Sequence, residues 1–244
     1  MSEEWLKLRI GDQDVPVRII RERRRSVRAY MGKEHVIFRF PSHLTPTEAA
    51  FHRERLIQWL HKQFRKRAGA LQRYQHADYQ TGDTLRVGQR QYQLQLQQAD
   101  RKTSTGNVEN DTIRLLLSDQ LNAQQRSEAI RTLLSRLVAL DQLPYITQRV
   151  HELNQRFFRR PIKGVKLKYN HSNWGSCSNS GNINLSTRLL FAPPVVIDYV
   201  IIHELAHLVE LNHSDRFWYQ VQQAMPNYEE HEAWLKQFGG QCDF

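Results

Sequence analysis

Short runs of alternating apolar and polar residues dominate the first forty positions of the chain. Residues 6–10, 15–19 and 36–40 each place an apolar side chain at every second position, which is typical of strands with one buried face. Glycine-containing breaks at residues 11–12 and 32–33 interrupt the alternation, as turns do. The pattern therefore predicts antiparallel strands joined by hairpins.

The pattern changes after Pro41. Thr45 and Pro46 together mark a helix start, because threonine caps an N-terminus and proline suits the first helical position. Apolar residues then recur three or four positions apart, and basic residues fall on the opposite face. This spacing predicts one long amphipathic helix that ends at about residue 74.

The rest of the chain alternates between strand-like and helix-like periodicity. Turn residues at 179–182 separate two of the later strands, and a proline pair at 193–194 opens the last long helix. The predicted elements are strands at 84–97 and 112–117 on either side of a polar loop at 100–111, a helix at 123–140, a second helix from Pro144 to about residue 158, strands at 165–169, 174–178 and 183–185, and a helix from 194 to about 211.

Together these elements predict a mixed α+β protein. A β-rich N-terminal region with one long helix precedes a mostly helical domain that contains a small sheet. We place the boundary at residue 120, which divides the chain into residues 1–120 and 121–244. The sequence itself shows no internal repeat and no low-complexity segment.

Two residues one helical turn apart carry the strongest chemical signal. The segment His203-Glu204-Leu205-Ala206-His207 lies in the last long predicted helix, where positions i and i+4 share a face. Both imidazoles can therefore bind one zinc ion at about 2.0–2.1 Å, and the glutamate can reach a water on that ion. Zinc lowers the pKa of such a water to about 7, so the segment predicts metal-assisted hydrolysis with Glu204 as general base.

A catalytic zinc site needs a third protein ligand and an open fourth position. His213 is the first candidate, because Asn212 and Ser214 beside it indicate a helix end and a new helix cap that would turn the chain back toward the ion. Glu210 is the rival, since a carboxylate fills this role in other zinc hydrolases. The residues alone leave both possibilities open.

Composition and charge narrow the class of protein. Hydrophobic residues make up 40% of the chain, no apolar stretch approaches the roughly 18 residues of a membrane span, and the N-terminus lacks a secretory pattern. Cys177 and Cys242 are the only cysteines, which excludes a disulfide framework and favours a reducing compartment, by default the cytoplasm.

The net charge of +10 is concentrated near the N-terminus. Residues 1–75 contain 17 Lys and Arg against 8 Asp and Glu, and the remaining chain contains 18 against 17. Such a basic region is suited to a nucleic acid or a nucleotide, through contacts with phosphates. A plain solvated surface explains the same charges.

Four blocks in the last 80 residues occur together and in a fixed order. They are Trp174-Gly175-Ser176-Cys177-Ser178, Asn182-Ile183-Asn184-Leu185, the stretch 198–207 around the two histidines, and Asn212-His213-Ser214-Asp215-Arg216-Phe217-Trp218. In these blocks the chain resembles the YgjP-like metallopeptidases, and more distantly the SprT-like and WLM proteases. The resemblance implies a zincin-like metallopeptidase domain with zinc ligands at His203, His207 and His213, catalytic Glu204, and a peptide or protein substrate.

The block at Trp174, Gly175, Ser176 and Cys177 has two interpretations. A strand along the active-site cleft would offer backbone groups to an extended peptide, and the glycine would let the backbone of the substrate come close. Alternatively, the tryptophan and the cysteine pack against the zinc helix. The substrate-binding role is therefore one of two predictions for this block.

The residues support a zinc-dependent peptidase first. A second hypothesis keeps the metal and directs the activated water at a nucleotide phosphoanhydride, and a third is a nucleic-acid-binding module with a structural zinc. In a combined form, the basic region recruits the peptidase to nucleic acid. No membrane partner is expected.

Overall fold

The computed structural model describes residues 2–11, 13–32, 35–66 and 79–244. Contacts between Cα atoms divide the chain into two compact units, residues 1–76 with 237–241 and residues 77–236 with 242–244. Within the described ranges, no helix combines the length and apolar character that are needed to cross a membrane.

The first unit contains a four-stranded sheet followed by a helix. Its elements are β1 (Ser2–Ile10), β2 (Gln13–Glu22), β3 (Arg28–Met31), β4 (Val36–Pro41) and α1 (Pro46–Lys66). The strand order is β1-β2-β4-β3, with antiparallel outer pairs and a parallel central pair, β2 with β4. The expectation of antiparallel pairing throughout is wrong for this central pair, because alternation reports which face is buried and not strand direction.

The core of the first unit lies between the sheet and α1. Val17 and Phe38 from the sheet and Leu60 from the helix are fully buried and belong to one apolar cluster. Thr45 and Glu48 form the predicted helix start: the Thr45 hydroxyl accepts from the Glu48 N–H at 3.3 Å, and the Glu48 carboxylate accepts from the Thr45 N–H at 2.9 Å. The predicted continuation of α1 beyond residue 66 lies outside the described residues.

The second unit opens with the same arrangement. It begins with β5 (Thr84–Val87), β6 (Arg90–Ala99), β7 (Thr105–Glu109), β8 (Thr112–Ser118) and α2 (Ala123–Leu153). The order β5-β6-β8-β7, with β6 parallel to β8, repeats the topology of the first sheet. The prediction of a polar loop at residues 100–111 is wrong in part. This segment contains β7, a strand at the edge of the sheet, where polar side chains face solvent.

Helix α2 is continuous through Pro144, whereas the sequence predicted a new helix there. A proline inside a helix removes one hydrogen bond, to the carbonyl four residues earlier. That residue is Leu140, which is 64% exposed, so the lost hydrogen bond falls on the solvent-facing side of the helix. Buried Leu137 and Ile146 on either side hold the helix to the core, which offsets the break. The helix ends in a π-helical turn, Asn154–Phe158.

The remainder of the second unit builds the site. It consists of β9 (Gly164–Lys168), β10 (Gly175–Cys177), β11 (Asn182–Ser186), α3 (Pro194–Ala206), α4 (Asp215–Ala224) and α5 (Tyr228–Phe238). The small sheet has the order β10-β11-β9, so β10 is an outer strand. Helix α3 ends at Ala206, earlier than the predicted residue 211, and a series of turns follows.

One apolar core joins the sheet β5–β8 to α2 and α3. Contacts therefore place the division of the chain near residue 76, earlier than the boundary at residue 120 expected from the order of the predicted elements. The physical reason is that the buried side chains of β6 and β8, such as Leu94 and Ile113, share a cluster with Leu134 of α2. The mixed α+β class with a β-rich N-terminal part and later helices is confirmed.

Candidate metal centre

Helix α3 is buried on almost every side, and it presents His203 and His207 at its C-terminal end. Ile201, Leu205 and Ala206 have no exposed surface and fix the helix in the core. The two imidazole rings lie one turn apart, with 5.2 Å between their centroids. The i, i+4 spacing therefore places both rings at one wall of a cleft.

His213 joins them because the chain reverses after α3. Its Nε2 lies 3.0 Å from Nε2 of His203, and one ligand atom of each of the three histidines lies within 4.8 Å of the others. Two nitrogens bound to the same tetrahedral zinc ion at about 2.0–2.1 Å would be about 3.3 Å apart. The reversal is completed by Ser214, whose hydroxyl caps α4 by accepting from the Phe217 N–H at 3.4 Å.

The carboxylate of Glu210 is not part of this group of ligand atoms, as far as the described residues extend. The backbone carbonyl of Glu210 instead lies 3.2 Å from Nδ1 of His207. When Nδ1 carries the proton it donates to that carbonyl, and Nε2 keeps the lone pair that a metal requires. The geometry thus groups His213, rather than the rival Glu210, with the other two histidines.

Two of the histidines are held in the neutral form that binds metals. Burial, together with the neighbouring His207 and His213, lowers the pKa of His203 to about 4. Burial also lowers the pKa of His207. The Nε2 atoms of His203 and His213 face each other at 3.0 Å, an arrangement that fits a shared cation, and a metal ligand must be deprotonated.

Glu204 lies beside the three histidines and is almost completely enclosed, with 6% of its surface exposed. Burial, partly offset by a hydrogen bond donated by the backbone N–H of Cys177, raises the pKa of Glu204 to about 7. A carboxyl group with a pKa near neutrality can both accept and return a proton. These properties suit the general base that the sequence predicts.

Phe217, which is fully buried, packs against all three histidines. The ring centroid of Phe217 lies 4.9 Å from His203, 4.5 Å from His207 and 4.7 Å from His213. Trp218 follows on α4 and stacks on Tyr228 of α5, with 5.3 Å between centroids. This packing restricts the orientations of the three imidazole rings.

The histidines and Glu204 open onto a cleft of about 630 Å³. Trp174, Gly175, Ser176 and Cys177 all line it, so the predicted substrate-binding block lies at the site. The sequence did not single out the other side of the cleft, where α3 and α5 contribute further lining residues. These are Tyr199, Glu232, Leu235 and Lys236. Tyr199 could have been found, because it precedes His203 by one helical turn on the same face.

Cys177 lies in the cleft, where its surroundings disfavour the thiolate form. Burial and the nearby charge of Glu204 raise the pKa of its thiol to about 11. The reactive form of a cysteine is the thiolate, which is scarce at neutral pH when the pKa is that high. Cys177 therefore contributes its backbone and its bulk to the site.

The cleft with its histidine group belongs to a metallopeptidase, and the comparisons with known proteins specify which kind. Residues 25–238 match the profile of the YgjP-like metallopeptidase domain, so the chain belongs to the YgjP-like family. This membership implies a bound metal ion and peptide or protein substrates.

Two crystal structures of metallopeptidase zymogens are similar to part of the chain. The zymogen of Pyrococcus abyssi abylysin is 26% identical, and the match covers 36% of this chain and 89% of that one with a TM-score of 0.34. The zymogen of Methanocaldococcus jannaschii jannalysin is 20% identical, with 36% and 90% covered and a TM-score of 0.32. No curated protein matches the chain.

Proposed function

We propose that this metallopeptidase is zinc-dependent, with His203, His207 and His213 as the ligands and Glu204 as the general base. The observation that carries the proposal is the convergence of three metal-ligating nitrogens and one buried carboxylate at a single cleft. A zinc ion held there would supply Lewis acidity and lower the pKa of a water to about 7.

The residues of the chain have separate tasks in this proposal. Glu204 accepts the proton of the attacking water and returns it to the leaving amine, as general acid–base catalysis requires. The backbone of β10 pairs with an extended peptide in the cleft, because an outer strand can accept one more strand. Trp174, Gly175, Ser176 and Cys177 are thus the proposed substrate-binding residues.

Zinc and a catalytic role are favoured by the ligand set. Imidazole suits zinc among the divalent metals, and three protein ligands leave a fourth position open for water. A structural zinc site usually closes with four protein ligands and favours cysteine. The described residues around this point offer three histidines, which favours catalysis over the structural alternative.

Peptide is favoured over nucleotide as the substrate by the charge of the cleft. Among the described residues that line it, Lys236 is the one lysine or arginine, and it pairs with Glu232 at 2.8 Å. A site for a phosphoanhydride would need unpaired positive charge near the phosphates. Hydrolysis of a nucleotide, and recruitment to nucleic acid by the basic N-terminal region, stay predictions from the sequence.

Glu204→Gln tests the proposed mechanism. The variant keeps the shape of the side chain and loses the base, so we expect zinc content to persist while cleavage of casein falls by at least about 100-fold. Glu210→Gln is the matched control, and it should retain both zinc and activity. Undiminished cleavage by Glu204→Gln would refute the mechanism, and loss of zinc from Glu210→Gln would reinstate the rival ligand.

A parallel assay tests the substrate class. The zinc-loaded protein is given casein and a set of nucleoside triphosphates under the same conditions. We expect peptide cleavage and no release of phosphate. Zinc-dependent hydrolysis of a nucleotide without proteolysis would replace the peptidase proposal.

A further inference from the structure

The backbone of β10 approaches Glu204 unusually closely at one position. A Cβ atom added to Gly175 would lie 2.5 Å from Oε1 of Glu204, 2.6 Å from Cγ and 2.8 Å from Cδ. Carbon atoms that are not bonded to each other prefer separations of about 3.5–4.0 Å. The space that a side chain at residue 175 would need is therefore occupied by the carboxylate side chain of Glu204.

The glycine is not required by the backbone conformation. Glycine is usually needed where φ is positive, as at Gly181 with φ 81° in the neighbouring turn, and Gly175 is not such a position. Residue 175 has the extended conformation of a strand, paired with Leu185 of β11. Space, and not conformation, excludes a side chain here.

A collision at residue 175 would move Glu204 rather than the strand. β10 is held in antiparallel register by β11, where Ile183 and Leu185 are buried in the core. The carboxylate is the movable partner, because a side-chain torsion shifts at lower energy than a paired strand. In the native arrangement, the backbone N–H of Cys177 donates a hydrogen bond to this carboxylate and fixes it from the same strand.

We propose that Gly175 is a positioning residue for the general base: the bare backbone at residue 175 and the N–H of Cys177 form the slot that holds the Glu204 carboxylate. The proposal rests on the proposed function, which assigns the base to Glu204. It also revises the sequence interpretation of this glycine. The side of Gly175 that lacks a side chain accommodates Glu204, so the proposed pairing of β10 with a peptide uses the backbone N–H and C=O groups of the strand and not this side of the glycine.

Gly175→Ala is the kinetic test. Relief of the collision requires a shift of the carboxylate by about 1 Å, and misplacement on that scale reduces a rate by about 100-fold. We expect kcat to fall by that factor, with KM and zinc content close to those of the wild type. Gly164→Ala is the matched control in β9 of the same sheet, because its Cβ would meet only Asn182 Oδ1 at 3.6 Å, and it should keep the wild-type kcat.

A second measurement tests the contact without activity. Gly175→Ala should lower Tm in the wild-type background and should lower it much less in a Glu204→Ala background, where the colliding side chain is gone. Equal losses of Tm in both backgrounds, or an unchanged kcat in Gly175→Ala, would overturn the proposal. These outcomes differ from those that would refute the proposed function. The proposed function fails if the wild type cleaves no peptide, or if Glu204→Gln cleaves peptide as well as the wild type does.

Discussion

The two four-stranded sheets have the same strand order, and each is followed by a helix that begins with a capping box. In the first, Thr45 and Glu48 make the reciprocal hydrogen bonds, and in the second Asn122 and Gln125 make them. The helices differ in what they bury. The buried residues of α1 share a cluster with their own sheet, whereas those of α2 share a cluster with their sheet and with α3, the helix that contains His203.

Charge separates the two regions as well. Residues 1–75 contain 17 Lys and Arg against 8 Asp and Glu, but residues 79–153 contain 9 against 8. The two regions therefore share an architecture but differ in their residues: the second packs through apolar side chains against the helix of the site, and the first has an excess of basic residues. The second sheet and its helix are part of the catalytic unit, while the first sheet and its helix have a composition suited to a separate role.

The largest expected effect comes from opening a cavity in each core. Leu134→Ala in α2 and Leu60→Ala in α1 both remove a fully buried side chain, and each should lower the free energy of unfolding by about 2–5 kcal/mol. We expect Leu134→Ala to reduce zinc retention and peptidase activity at 37 °C, since its cluster includes α3. Leu60→Ala should leave both close to wild type.

Urea denaturation followed by both tryptophan fluorescence and residual activity measures this difference. If Leu60→Ala removed activity at the same urea concentration as Leu134→Ala, the two regions would act as one cooperative unit and the comparison would fail.

Alkaline pH should destabilise the second unit. Burial raises the pKa of Tyr79 to about 12 from 10.0, so folding favours its neutral form. The resulting stabilisation is complete below pH 10 and is lost as the pH rises through 12. Tyr79→Phe should therefore show a shallower loss of stability between pH 10 and 12, by at most about 3 kcal/mol. Identical pH profiles of unfolding for the two proteins would contradict this.

The site was largely predictable because its chemistry is local in the sequence. His203 and His207 define one helix face by spacing alone, and the turn residues Asn212 and Ser214 indicate that the chain comes back at His213. The expected metal group is the one that the fold brings together. His213 was also the first candidate from the sequence, and the structure groups it, and not the carboxylate of Glu210, with the other two histidines; its role as a ligand stays a prediction.

What the sequence could not predict depends on contacts between distant segments. Alternation does not report strand direction, so the parallel pairs of β2 with β4 and β6 with β8 were missed. Pro144 remains inside a helix because tertiary packing outweighs one lost hydrogen bond. The contact of Gly175 with Glu204 joins residues 29 positions apart, and spacing gives no indication of it. The repeated topology was hidden for the same reason.

A smaller effect should come from the ion pair that links α2 to α3. Arg149 donates to both carboxylate oxygens of Asp198, at 2.8 and 2.7 Å, and also to Glu152 at 3.0 Å. Because Arg149 is 36% exposed, solvent screens the pair, and Asp198→Asn should lower the free energy of unfolding by about 1–2 kcal/mol.

Glu152→Gln is the control for that pair, since it removes an exposed partner of the same arginine and should lose less than about 0.5 kcal/mol. Thermal unfolding measures both variants. Equal losses of stability for the two variants would mean that α2 is connected to α3 by apolar packing alone.

A still smaller effect is expected from the basic N-terminal region, and it shows whether that region binds nucleic acid. Arg23 and Arg25 are exposed beside β2. Replacing both with glutamine should weaken binding to duplex DNA several-fold at about 0.1 M salt. It should also reduce the slope of log K against log[salt] by up to about two. Replacing the exposed Arg86 and Arg114 of the second sheet removes the same charge and should change neither quantity. If the affinity for DNA and the salt slope were unchanged in the Arg23 and Arg25 variant, the basic residues of the first region would form only a solvated surface.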